Sequence, residues 1–120
     1  MPCRCCALPP TPAAGAREAM RGHAVNVISA EMHIEFVAAG VNKASALRRV
    51  SDLLGEPLGA FVGFGDNMND IEMLEAVGRG VAMANAREAC KRAADTVCPY
   101  TNEEDGVSRY CEQLIADGQL

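Results

Sequence analysis

An α/β fold with a parallel sheet flanked by helices is predicted by three features of this sequence. From residue 44 onwards, short apolar runs alternate with amphipathic segments in the order helix, strand, helix, strand, helix, strand, helix. The apolar runs lack the polar–apolar alternation of a solvent-facing strand, so both of their faces are expected to be covered. Such an alternation indicates parallel strands that are joined by right-handed helical crossovers.

The first forty residues show a different pattern. Residues 1–23 are rich in Pro, Ala, Gly and Arg and show no periodicity, which predicts a flexible leader. Ala24–Ile28 and His33–Ala38 are short apolar runs typical of strands. We predict that they form a hairpin through Ser29–Met32.

The remaining elements are predicted by apolar periodicity and by the Gly and Pro residues that end them. The predicted strands are Phe61–Phe64, Val81–Met83 and Thr96–Cys98. Four helices are predicted. The first carries Leu47, Val50 and Leu54 on one face and ends at Gly55, and the others cover Asp70–Val77, Ala86–Ala93 and Val107–Ile115.

Composition limits the class of protein. Nearly half of the residues are apolar, which predicts a packed core, and no apolar run is long enough to span a bilayer or to serve as a signal peptide. A cytoplasmic protein without a membrane partner is therefore expected. The net charge is −5, and residues 61–120 hold eleven Asp and Glu against five Lys and Arg. This acidic half argues against nucleic-acid binding, which needs cations facing phosphates.

The six cysteines do not indicate a disulfide framework. Cys90, Cys98 and Cys111 occupy apolar positions of predicted elements, where free Cys acts as a small hydrophobic residue. Cys3, Cys5 and Cys6 lie close together, but their C-x-C-C spacing differs from that of zinc sites. We interpret them as part of the unstructured leader.

Two acidic residues bracket the turn after the first predicted core strand. Asp66 is the first residue past that strand, and Asn69 or Asp70 is expected to cap the next helix. Ligands of open α/β sheets lie beyond the carboxyl ends of strands, and Mg²⁺ prefers one or two carboxylates with waters and phosphate. The spacing alone equally fits a capped turn without a ligand. A calcium loop is excluded, because Met68 stands at a ligand position.

A longer stretch resembles a known family. Phe61–Ala86 reads FVGFGDNMNDIEMLEAVGRGVAMANA, which is similar to the fourth motif of the Cof-type branch of haloacid-dehalogenase phosphatases. The similarity extends to Ile34-Glu35, Gly40–Lys43, Ala94-Asp95 and Asn102–Val107. The resemblance implies a partial Rossmann-like core of that family, with 24–38 as strands returning from a cap domain and 39–120 as the C-terminal half of the core.

The resemblance also implies a role for each site residue. Asp66 would ligate Mg²⁺, and Asp70 would support the metal site or the lysine. Asn69 would reach towards the nucleophile or the bound phosphate, and Lys43 would pair with phosphoryl oxygens. The implied reaction is hydrolysis of a small phosphomonoester of the sugar-phosphate class.

The sequence departs from the family pattern at two points. Ala44 stands where the family usually has glycine, and the D-x-D pair that carries the nucleophile occurs nowhere in the 120 residues. We therefore expect a truncated chain that is inactive alone, with Phe61–Phe64 exposed as an edge strand and prone to self-association. The alternative is a non-catalytic Mg²⁺-binding or interaction module. A receiver-like domain is disfavoured, because Lys43 precedes the aspartates instead of following them.

Overall fold

The chain is represented by a computed structural model, which describes residues 11–29 and 34–120. The chain divides into two compact units, and the division falls between Val41 and Asn42. None of the helices in the described ranges is long and apolar enough to cross a bilayer. The leader cysteines Cys3, Cys5 and Cys6 lie outside the described residues.

The first unit contains one helix and one antiparallel strand pair. Helix α1 spans Pro12–Ala19, and strands β1 and β2 span Val25–Ser29 and Ile34–Ala38. Val25 lies opposite Ala38 in the pair, and Ser29 lies opposite Ile34. The two predicted strands of the hairpin are therefore confirmed, while residues 30–33 of the predicted turn lie outside the described part of the chain.

Helix α1 lies within the segment predicted to be an unstructured leader, and that prediction is wrong for these eight residues. The hydroxyl of Thr11 accepts a hydrogen bond from the N–H of Ala14 (3.3 Å), and Pro12 occupies the first helical position. Both are start signals of a helix, and alanine-rich sequence favours its continuation. Periodicity did not reveal it because the helix buries none of its residues.

The second unit has the predicted alternation of helices and parallel strands. Its elements are α2 (Lys43–Leu54), β3 (Val62–Gly65), α3 (Ile71–Ala76), β4 (Arg79–Ala82), α4 (Glu88–Ala93), β5 (Thr96–Val97) and α5 (Gly106–Ala116). The sheet order is β3-β4-β5, and both strand pairs are parallel. The predicted α/β class and parallel sheet are thus confirmed, with element ends shifted by at most two residues.

The core of this unit lies between the sheet and its helices. Leu74, Val81, Cys90 and Cys98 are fully buried there. The rings of Phe64 and Tyr110 pack edge to face, with centroids 5.8 Å apart. Both buried cysteines are free thiols that serve as small core residues, as their positions in the sequence predicted.

One face of helix α2 lies outside this core. Val50, Leu53 and Leu54 are 42%, 81% and 64% exposed, and Ala44 is the buried residue of the helix. Gly55 ends the helix in the left-handed conformation (φ 69°), as predicted. The predicted helix is therefore confirmed, but much of its apolar stripe is exposed.

Candidate metal and phosphate site

The candidate site begins where strand β3 ends. Asp66 directly follows Gly65 and is half-buried, and residues Met68–Asp70 form one turn of 3-10 helix before α3. The side chain of Asn67 caps this turn by accepting a hydrogen bond from the N–H of Met68 (2.8 Å). Asp70 is the N-cap residue of α3, one of the two residues predicted from the sequence, although its side chain makes no capping hydrogen bond to that helix. The cap of the 3-10 turn, Asn67, was not predicted.

Asp70 organises the turn from its buried side. Its carboxylate accepts hydrogen bonds at Oδ2 from the N–H groups of Asp66 (2.9 Å) and Asn67 (3.1 Å). Its Oδ1 accepts a hydrogen bond from the ammonium of Lys43, which is also its ion-pair partner. The Asp70 side chain is 4% exposed and that of Lys43 is 50% exposed. Both carboxylate oxygens of Asp70 are therefore engaged.

These contacts set the charge state of Asp70. Burial raises the pKa of this carboxyl, but the hydrogen bonds from Lys43, Asp66 and Asn67 outweigh burial, so the pKa lies below its ordinary value. The group is consequently a carboxylate at neutral pH. It holds both a lysine ammonium and a backbone turn in place.

Gly65 allows Asp70 to approach the strand so closely. A Cβ at position 65 would lie 2.5 Å from Cβ of Asp70 and 3.0 Å from its Cγ. Real carbon atoms do not approach to that distance, so a side chain at 65 would displace the carboxylate. The glycine before Asp66 is therefore a requirement of the site.

Lys43 is the first residue of helix α2. Asn42 caps this helix by accepting a hydrogen bond from the N–H of Ser45 (2.8 Å), and the Ser45 hydroxyl in turn accepts one from the N–H of Asn42 (2.9 Å). This capping box fixes the helix start, and with it the stem of Lys43. Ala44, the departure from the family's glycine, is 1% exposed and fits at this start.

Asp66 and Asn69 differ from Asp70 in having no hydrogen-bond partner for their side chains within the described ranges. Asp66 is half-buried, whereas Asn69 is exposed. No cluster of three or more His, Cys, Asp or Glu side chains in the described part could hold a metal by itself. One uncommitted carboxylate at a strand end fits Mg²⁺ as a partial site, since Mg²⁺ takes few protein ligands and keeps several waters.

Two further residues at this edge could not be assigned to the site from the sequence. Arg87, which precedes α4, donates from Nε to Oδ1 of Asn67 (3.0 Å) and from its backbone N–H to the carbonyl of Asp66 (3.0 Å). Cys90 is buried in α4, and burial together with the charges of Asp70 and Asp66 raises the pKa of its thiol. No motif or spacing singles out either residue, because their roles depend on tertiary proximity.

Comparison with known proteins relates this geometry to a family. The sequence profile described as haloacid dehalogenase-like hydrolase matches residues 15–110. A 5-amino-6-(5-phospho-D-ribitylamino)uracil phosphatase of Bacillus subtilis is 46% identical over 83 residues, which are 69% of this chain and 30% of that protein. A phosphoglycolate phosphatase of Methanosarcina acetivorans is 35% identical over 80% of this chain and 42% of its own length.

Solved structures show the same relationship. The crystal structure of a haloacid dehalogenase-like hydrolase from Bacteroides thetaiotaomicron superposes with a TM-score of 0.75 at 34% identity. The superposition covers 85% of this chain and 38% of that protein. The chain therefore spans between about a third and two fifths of the length of these relatives.

Proposed function

Because this chain belongs to the haloacid dehalogenase-like hydrolase family, we propose that it supplies the lysine-bearing and metal-binding half of a phosphatase site. The complete site would hydrolyse phosphomonoesters with Mg²⁺ as cofactor. The profile match and the similar phosphatases confirm the family that the sequence motifs implied. The activity, the cofactor and the residue roles are the proposal.

The observation that carries the proposal is the arrangement of Lys43, Asp66 and Asp70. Asp70 holds the Lys43 ammonium beside the turn, 27 residues away in sequence, and the Asp66 side chain has no hydrogen-bond partner within the described residues. An ammonium and an uncommitted carboxylate are thereby brought to one strand end. A purely structural turn does not require a lysine from another helix, since Asp70 already accepts two backbone hydrogen bonds.

Each residue has a distinct task in the proposed reaction. Mg²⁺, held by Asp66, would offset negative charge on the phosphoryl group. Lys43 would bind phosphoryl oxygens and stabilise the charge that develops on them during transfer. Asp70 would orient Lys43 and fix the N–H groups of the turn, and Asn69 would donate a side-chain hydrogen bond to the phosphate or the nucleophile.

The proposed substrates are small phosphorylated metabolites. Two relatives are named for phosphoglycolate and for a phosphoribitylamino-uracil, so both compact phosphomonoesters and sugar-alcohol phosphates fall within the range of the family. A sugar-phosphate substrate in the cytoplasm remains our prediction for the complete enzyme.

The nucleophile must come from outside these 120 residues, because the sequence contains no D-x-D pair. Without an attacking carboxylate, an ammonium and a metal can bind phosphate but cannot form a covalent phosphoryl intermediate. The 120-residue chain assayed by itself is therefore expected to hydrolyse a generic phosphomonoester no faster than the background rate.

The test is reconstitution. The chain would be mixed or co-expressed with the N-terminal part of a related phosphatase that carries D-x-D, and Mg²⁺-dependent phosphate release would be measured. Activity that is lost in Asp66→Asn and in Lys43→Met, but retained in the surface variant Arg92→Ala, supports the proposal. Equal activity in the Asp66→Asn variant would contradict it.

The second candidate is a non-catalytic Mg²⁺-binding or interaction module, and the missing D-x-D pair favours it. An NMR titration with Mg²⁺ in the presence of inorganic phosphate tests whether the turn Asp66–Asp70 binds metal at all, as the phosphatase site and the Mg²⁺-binding module both require. Shifts centred on Asp66–Asp70 support a metal site. Shifts spread evenly over all acidic residues would indicate counterion binding and exclude a metal site in either candidate.

A further inference from the structure

We propose that Arg87 is a positioning residue that holds the turn bearing Asp66 in its binding conformation, an inference that rests on the metal-binding role proposed for Asp66. Arg87 lies between the end of β4 and the start of α4, at the same edge of the sheet as Asp66. It contacts the turn at two places. Its backbone N–H donates to the carbonyl of Asp66, and its Nε donates to Oδ1 of Asn67, both at 3.0 Å.

The side-chain contact reaches an atom that already shapes the turn. Oδ1 of Asn67 also accepts the N–H of Met68 at 2.8 Å, so Arg87 stabilises the rotamer in which Asn67 caps the turn. Asp70 holds the N–H groups of Asp66 and Asn67 from the buried side. Asp66 is thus fixed from two sides, by Asp70 through the backbone amides and by Arg87 through the Asn67 cap.

The charge of Arg87 and its hydrogen bond have opposite effects on a cation. A guanidinium near Asp66 repels Mg²⁺, so removal of the charge alone would tighten Mg²⁺ binding. Removal of the side-chain hydrogen bond loosens the Asn67 cap beside Asp66, while the bond from the backbone N–H of residue 87 to the Asp66 carbonyl remains. This loss would weaken Mg²⁺ binding because the turn must then be ordered on binding. If Arg87 acts mainly through its charge, its removal tightens Mg²⁺ binding, and if it acts mainly through its hydrogen bond, its removal weakens Mg²⁺ binding.

The experiment is a Mg²⁺ titration of the isotope-labelled 120-residue chain, followed at the Asp66 and Asn67 amides. Arg87→Ala is expected to weaken binding about fivefold, the size of one hydrogen bond. Arg92→Ala removes one positive charge from α4, the helix that Arg87 precedes, and is expected to leave binding unchanged or slightly tighter. Asn67→Ala should weaken binding like Arg87→Ala, and the double variant should be no weaker than either single one.

The proposal is overturned if Arg87→Ala binds Mg²⁺ as tightly as wild type or more tightly, or if the two single effects add in the double variant. A metal-free measurement separates its failure from failure of the proposed function. If the wild type shows no Mg²⁺ response at Asp66, the function proposal fails, and hydrogen exchange then decides the role of Arg87. Faster exchange of the Met68 amide in Arg87→Ala, and not in Arg92→Ala, supports positioning, and unchanged exchange in both overturns it.

Discussion

Gly65→Ala is the sharpest test of how the site is built, because it adds one methyl group at the tightest contact of the turn. The new Cβ would lie 2.5 Å from Cβ of Asp70 and 3.1 Å from its Oδ2. Asp70 cannot retreat freely, since its carboxylate is bound by Lys43 and by the N–H groups of Asp66 and Asn67. The overlap can therefore be relieved only in part, and only by loss of some of those hydrogen bonds.

The expected cost combines both effects. Overpacking costs about 1–3 kcal/mol, and each lost hydrogen bond costs about 0.5–1.5 kcal/mol, so the free energy of unfolding should fall by about 2–4 kcal/mol. For a unit of this size that corresponds to a Tm lower by roughly 10–20 °C. Thermal unfolding followed by circular dichroism measures the shift.

Gly59→Ala is the matched control, because a Cβ at position 59 meets no atom within 4 Å. It makes the same chemical change in the same unit and should leave Tm within about 3 °C of wild type. If Gly65→Ala and Gly59→Ala unfold at the same temperature, the close approach of Asp70 to the strand is not a constraint, and the reasoning about this turn is wrong.

Three further predictions follow from the same contacts and from the exposed surfaces. Because the pKa of Asp70 is lowered on folding, its ion pair should stabilise the fold above about pH 4 and lose that contribution as pH falls through the folded pKa. In urea titrations between pH 2 and 6, Asp70→Asn should lose less stability towards low pH than wild type, and an unchanged pH profile would contradict this prediction. Lys43→Met should leave Asp70 buried without its cation and lower Tm by about 5–15 °C, whereas Arg48→Met on the same helix should not. The exposed apolar stripe of α2 and the edge strand β3 should make the isolated chain self-associate at micromolar concentration. The double variant Leu53→Lys with Leu54→Gln should have a lower mass by light scattering than wild type. A monomeric wild type that unfolds cooperatively at high temperature would refute the prediction that these surfaces cause association.

Local patterns in the sequence predicted the elements of this unit because local chemistry determines them. Glycine in a left-handed conformation ends α2, and apolar runs without alternation form β3 and β4. Three of the four residues of β4 are buried, whereas Val62 and Phe64 of β3 are half-buried. The position of Asp66 at a strand end followed directly from the end of such a run. These features depend on residues that are neighbours in the chain.

The remaining features depend on residues that are distant in the chain. The stripe Val50, Leu53 and Leu54 marks the apolar face of α2, but periodicity does not tell what covers that face, and here it is exposed. Similarly, the contact from Arg87 to Asn67 arises because parallel strands bring two loops to one edge. Helix α1 escaped notice for the opposite reason, because a helix without a buried face leaves no apolar period to detect.

The thiol of Cys90 offers a direct measure of how often this edge of the molecule opens. It is fully buried in α4, and its pKa is raised by burial and by the carboxylates of Asp70 and Asp66, so the closed state offers almost no reactive thiolate. Alkylating reagents can therefore modify it only during excursions that separate α4 from the sheet. The labelling rate of Cys90, resolved by peptide mass spectrometry, would report the frequency of those excursions, which also remove the Arg87 contacts from the turn of Asp66.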